Sequence, residues 1–110
     1  MVNSSVQLDR EFAALSHPIR RRIVERLARG DATVAEAAAG TRVSKPAITK
    51  HLRVLEDANV VVRVVEGRKH RLSLNAGRLD DASEWIERQR ELWERKFDVV
   101  EGYLAERKRT

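Results

Sequence analysis

Apolar residues recur at helical spacing along most of the chain, interrupted by one β-branched stretch at residues 60–65 and the alternating segment that follows it. Leu8, Phe12 and Leu15 are spaced by four and three, which predicts a short amphipathic helix over about 6–15. Ser16-His17-Pro18 interrupts it, and Pro18, best tolerated in a first helical turn, begins a second helix. Ile19, Ile23 and Leu27 make the stripe of that helix, while Arg20, Arg21, Arg22 and Arg26 lie largely off it. Gly30 supplies a left-handed stop.

Thr33 stands three residues before Glu36, the spacing of a capping box, and opens a short Ala-rich helix from Val34 to Ala39 that ends at Gly40. Ser44 is a second N-cap candidate, with Pro46 in the first turn behind it. Ile48, Leu52 and Leu55 then share one face, and Lys45, Thr49, Lys50 and Arg53 point elsewhere. Asn59 falls where a left-handed residue is wanted. The β-branched run Val60 to Val65, a turn at Glu66-Gly67-Arg68 and the alternation of His70, Leu72 and Leu74 predict a β-hairpin. After a break at Asn75-Ala76-Gly77, the Pro-free segment from Leu79 to Arg107 predicts a long helix. The expected architecture is mainly α with a β-hairpin: a winged helix-turn-helix core over 6–78 and a C-terminal helix over 79–107, together one domain over 1–110.

Composition narrows the chemistry. A length of 110 residues suits one small core, and the absence of Cys removes disulfides, thiolate metal sites and thiol redox chemistry. No apolar run approaches the ~20 residues that span a bilayer, and the first ten residues lack a secretory pattern, so the expected location is the cytoplasm. The net charge of +5 is unevenly placed. Residues 42–71 hold eight Lys and Arg against three acidic residues, and the remainder balances at 14 of each. A neutral scaffold therefore carries one basic unit, which favours duplex DNA over a membrane surface.

That unit has two parts. The second helix of a helix-turn-helix presents polar side chains to the major groove, and SKPAITKHLRVL meets the requirement with a basic outer face. The hairpin tip, Gly67-Arg68-Lys69-His70-Arg71, has the charge a wing needs to reach phosphates or the minor groove. Each part has a plainer explanation: a solvated helix face, or an edge strand protected by charge. A winged-helix protein-interaction module without DNA binding is the competing class, although a basic recognition face fits it less well. No Gly-rich phosphate loop and no nucleophile beside a base suggest an enzyme.

Over residues 12–106 the sequence resembles the ArsR/SmtB family of winged-helix repressors. HPIRRRIVERLARG is similar to the family's second helix, TVAEAAAGTRVSKPAITKHLRVLEDANVV to its helix-turn-helix, and VVEGRKHRLSL to its wing. Two positions depart from the pattern: Ala37 replaces the usual Leu and thins the core, and Asn59 replaces the usual Gly while keeping the left-handed turn. The resemblance implies that Ser44, Lys45, Thr49, Lys50 and His51 face DNA, supported by Arg68 and Arg71 of the wing, and Pro46, Arg53 and Lys69 complete the expected DNA-binding set. His51 is also placed for local packing, and His17 for a helix-start hydrogen bond. The ligand positions of the family's metal sensors hold no Cys here, and the C-terminal helix holds no His, so neither a metal nor another cofactor is expected.

Four of the five aromatics lie in the long helix. Its broad apolar surface exceeds what a core this small can cover, so Trp85, Ile86, Leu92, Trp93, Phe97 and Val100, with Leu8 and Phe12 of the first helix, are expected at a homodimer interface. The alternative is a helix folded back on its own domain. Two recognition helices in a dimer would read a palindromic operator, and a small apolar effector between the dimer helices fits without any polar constellation to identify it.

Overall fold

A computed structural model describes residues 2–109 of the chain, with side chains from 5 to 108. Its elements run α1 (Val2–Leu15), α2 (Pro18–Leu27), β1 (Ala32–Thr33), α3 (Val34–Ala38), α4 (Lys45–Asp57), β2 (Val61–Glu66), β3 (Lys69–Leu74) and α5 (Ala76–Arg109). This is the expected mainly-α fold with a hairpin. It differs at some boundaries, and it adds the two-residue strand β1, which is too short to produce a periodic signal.

The helix ends follow local chemistry. His17 caps α2 by accepting the Ile19 amide on Nδ1 at 3.1 Å, with Pro18 immediately behind it. The capping box at α3 is complete: Thr33 Oγ1 accepts from the Glu36 amide at 3.2 Å, and Glu36 Oε1 accepts from the Thr33 amide at 3.1 Å. Those bonds to the ionised carboxylate hold Glu36 below the usual carboxylate range. α1 begins earlier than residue 6 because nothing in its polar first turn stops a helix. α5 begins at Ala76 because Gly77 is tolerated in its first turn.

The core is the meeting of the predicted stripes. Ile23 and Leu27 of α2, Ile48, Leu52 and Leu55 of α4, Val60 just before the sheet, and Val61 and Leu72 within it are all buried together. Ala37 is buried among them on α3, a small side chain that lets the short helix approach closely. The sheet is antiparallel in the order β1-β3-β2, so Leu72 pairs with Ala32 on one side and Arg63 on the other. Asn59, at φ 60°, turns the chain from α4 into the sheet, and its left-handed backbone is one that Asn adopts more readily than most residues.

α5 behaves differently from the rest. Ala82 is buried, and Trp85 meets Phe12 of α1 edge to face at 5.7 Å, so the beginning of the helix folds back on its own domain. Beyond that the helix leaves the core, and the molecule extends 74 Å along its longest axis. Its radius of gyration is 19.8 Å, against roughly 13 Å for a compact chain of this length.

Candidate nucleic-acid interface

The turn between α3 and α4 is tight because it uses two left-handed residues. Gly40 has φ 77° and Arg42 has φ 58°. Gly40 was legible as a helix stop, whereas Arg42 carries no sequence signal for that conformation. Thr41 between them is buried, and its hydroxyl donates to the Ala38 carbonyl at 2.7 Å. Ser44 then caps α4, accepting the Ala47 amide on Oγ at 3.3 Å.

This fixes which side of α4 faces outward. Ser44, Lys45, Pro46, Thr49, Lys50 and Arg53 are exposed, while Ile48, Leu52 and Leu55 are buried. Thr49 donates its hydroxyl back to the Lys45 carbonyl at 3.0 Å, leaving its methyl group and oxygen lone pairs outermost. His51 is placed apart from this set. It is half-buried at the inner edge of the helix, its ring 4.3 Å from that of His17 and its Nδ1 3.2 Å from Arg20 Nη1. Burial, His17 and Arg20 all disfavour its charged form and hold it below the usual imidazole range.

The wing closes in a two-residue loop, with Glu66 paired to Lys69 and Gly67 at φ 63°. A positive φ at the first loop position suits a type II′ turn and leaves Arg68 at the tip. Arg68 and Lys69 are exposed and have no carboxylate partner among the described residues. Arg71 is occupied: it pairs with Glu66 at 3.1 Å and lies 3.9 Å from Asp31.

The basic parts converge on α3. One shallow depression runs between Val34, Ala35, Lys45 and Thr49, and a second between Ala35, Arg68 and Lys69. The recognition helix and the wing thus flank the same exposed first turn of α3, forming one surface. Arg63 fastens the two flanks. Its Nε donates to Glu56 Oε1 on α4 at 2.7 Å, and its Nη1 lies 3.2 Å from His70 Nδ1 on β3. In sequence Arg63 is one more charge in a basic run; only the pairing of β2 against α4 shows that it braces the wing.

Two further properties bear on the site. Among the described residues no group of three or more His, Asp or Glu side chains could hold a metal ion. No helix described is long and apolar enough to cross a membrane.

Comparison with known proteins agrees with this geometry. A helix-turn-helix domain family model matches residues 15–65, which run from the α1–α2 corner to the wing. The transcriptional repressor SdpR of Bacillus subtilis is 37% identical over 75 residues, covering 68% of this chain and 83% of SdpR. The chain belongs to the ArsR/SmtB family. The HTH-type transcriptional regulator Rv2034 of Mycobacterium tuberculosis is 49% identical over 53 residues, 48% of this chain and 50% of that protein. Among solved structures, the ArsR family transcriptional regulator RHA00566 superposes with a TM-score of 0.75 at 35% identity, over 80% of this chain and 97% of its own. An ArsR-like regulator from Rhodococcus sp. RHA1 gives 0.74 at 31% identity, over 89% and 92%. As a member of this family the chain is a DNA-binding transcriptional regulator, and the family is one of regulators rather than enzymes.

The long helix carries the other expected site. Leu8 and Phe12 are half-buried on α1, and Trp85 is 41% exposed despite its contact with Phe12. Ile86, Leu92, Trp93, Phe97 and Val100 are each at least half exposed, with Trp93 at 61%. Trp93 and Phe97 touch edge to face at 5.1 Å, forming an aromatic ridge with no cover in the single chain. The fold-back alternative therefore describes α5 as far as Trp85, and an open apolar face describes it beyond.

Proposed function

We propose that the protein is a homodimeric, sequence-specific repressor that binds a palindromic operator at its own or a neighbouring promoter in the cytoplasm. The observation that carries this reading is the surface made by Lys45, Thr49, Arg68 and Lys69 around the first turn of α3, with Lys50 exposed on the same helix as Lys45 and Thr49. Lys45, Thr49 and Lys50 read base edges in the major groove, and Arg68 and Lys69 take phosphates beside it. The unpaired ridge on α5 supports the dimer, because an apolar surface of that size is stabilised by burial against a second copy. A two-fold pair would set two copies of α4 toward successive major grooves. Repression follows from the likeness to the transcriptional repressor SdpR, and it works by occluding the promoter.

The test is a salt-titrated gel shift with genomic fragments recovered on the purified protein. Retention of a discrete set of fragments carrying inverted repeats is the expected result. Absence of DNA binding at low salt rejects the reading in favour of a protein-interaction module.

A further inference from the structure

Arg20 lies off the apolar stripe of α2 and takes no part in the DNA-facing surface, yet it is among the most engaged side chains in the molecule. Its Nε donates to the Ala14 carbonyl at 2.7 Å and its Nη2 to the Ala13 carbonyl at 3.1 Å, both at the C-terminal end of α1. Its Nη1 meets His51 Nδ1 on α4 at 3.2 Å. One guanidinium thus joins the end of α1, the start of α2 and the recognition helix.

The donors around the two imidazoles determine their protonation. A guanidinium only donates, so His51 Nδ1 must accept and carry no proton. The same holds for His17, whose Nδ1 accepts the Ile19 amide as the cap of α2. Both rings therefore act as Nδ1 acceptors, with the proton on Nε2, and they lie tilted against each other with centroids 4.3 Å apart. Protonating His51 removes the acceptor for Arg20 and sets a second positive charge against the guanidinium. Protonating His17 removes the cap of α2. The titratable and charged groups acting on His51 are His17, the N-cap of α2, and Arg20 on α2 itself, and the α1 groups that Arg20 meets are uncharged carbonyls. Neither His17 nor Arg20 has a carboxylate partner among the described residues, so nothing there compensates an added proton.

We infer that Arg20, His51 and His17 form a positioning cluster that seats the recognition helix on the α1–α2 corner only while both imidazoles are neutral, so that acidification weakens specific DNA binding. The inference rests on the proposed function, in which α4 faces DNA. It makes a prediction opposite in sign to a DNA contact by His51. A histidine facing phosphate or bases gains affinity when protonated. A histidine that orients the helix from behind loses it.

The experiment compares His70→Gln with a variant that adds His17→Asn and His51→Gln, the first change silencing the wing histidine in both. Asn retains N-cap capacity and Gln retains an acceptor oxygen for Arg20, and neither titrates. Each protein is titrated at pH 8 and pH 6 against a duplex selected from a random library and against an unrelated duplex. The expected result is that preference for the selected duplex falls by roughly threefold or more on acidification in the His70→Gln protein. The triple variant should show no such fall. A preference that rises on acidification, or a fall that persists in the triple variant, overturns the inference. If no duplex binds at pH 8, the DNA-binding reading fails instead. Nitrogen NMR of the histidine rings then judges the cluster by itself. Nδ1 of both rings should be unprotonated at pH 8, and an Nδ1–H tautomer at His51 would overturn the arrangement.

Discussion

Replacing Arg68 by Ala tests how charge is divided between the wing and the recognition helix. Arg63 is paired with Glu56, and Arg71 with Glu66 and Asp31, so their charges are partly spent within the chain. Arg68 sits at the hairpin tip with no carboxylate beside it, so its full charge is available to a phosphate. Neutralising one phosphate contributes about 0.9 to the slope of log affinity against log salt. A dimer that loses two such contacts should show a slope shallower by about 1.8. Between about 50 and 200 mM salt, that makes the affinity gap between wild type and variant shrink by about 12-fold. Fluorescence anisotropy on a labelled duplex over this range measures it. Arg71→Ala should change the slope less, because two carboxylates already offset that guanidinium. An Arg68→Ala slope equal to wild type would refute the phosphate role, as would a variant that altered sequence choice while leaving the slope alone. A shift near 0.9 would indicate that only one wing engages.

Lys45→Ala and Thr49→Ala should relax sequence preference, each by about 1–3 kcal/mol of discrimination at one base pair, as read by selection from a random library. Trp93→Glu places a charge in the exposed aromatic ridge of α5 and should raise the dimer dissociation constant by roughly 30-fold or more in sedimentation experiments; an unchanged constant removes this face from the interface. Glu11 is fully buried with both carboxylate oxygens unpartnered, and burial raises its pKa above the ordinary carboxylate value. Its neutral form is favoured in the fold, so it contributes stability at acid pH that is lost as pH rises through the raised value. Glu11→Gln should therefore melt above wild type at pH 7, with the difference closing towards pH 4, and a difference that grows on acidification would contradict the assignment. Asn59→Ala should cost about 1 kcal/mol in denaturant unfolding because of its left-handed backbone, and Asn59→Gly should stay within about 0.5 kcal/mol of wild type.

Much of this protein is legible in its sequence, for reasons that are local. A helix stripe such as Ile48, Leu52 and Leu55 is a periodicity, and the caps at His17, Thr33 and Ser44 are a residue type at a fixed offset from a helix start. The concentration of charge in residues 42–71 is likewise countable along the chain. What remained hidden depends on contacts between distant residues. β1 has only two residues, and its pairing with β3 depends on the fold bringing Ala32 beside Leu72. The left-handed Arg42 follows from closing the α3–α4 turn, and no side-chain preference announces it.

The site divides in the same way. Which residues point outward from α4 follows from a period of 3.6, but which charges stay unpaired does not. Arg63 and Arg71 look equivalent to Arg68 in sequence, and only the strand register and the packing of β2 on α4 give them carboxylate partners. His51 sits within the basic run between Lys50 and Arg53, yet tertiary packing turns it towards His17 and Arg20, separated from it by 34 and 31 residues. Sequence by itself determined the elements, their caps and the sign of the surface, because those depend on neighbours a few residues apart. Tertiary structure decided which charges are free, which histidine is held behind the helix, and where α5 leaves the core, because each is settled by groups that only folding brings together.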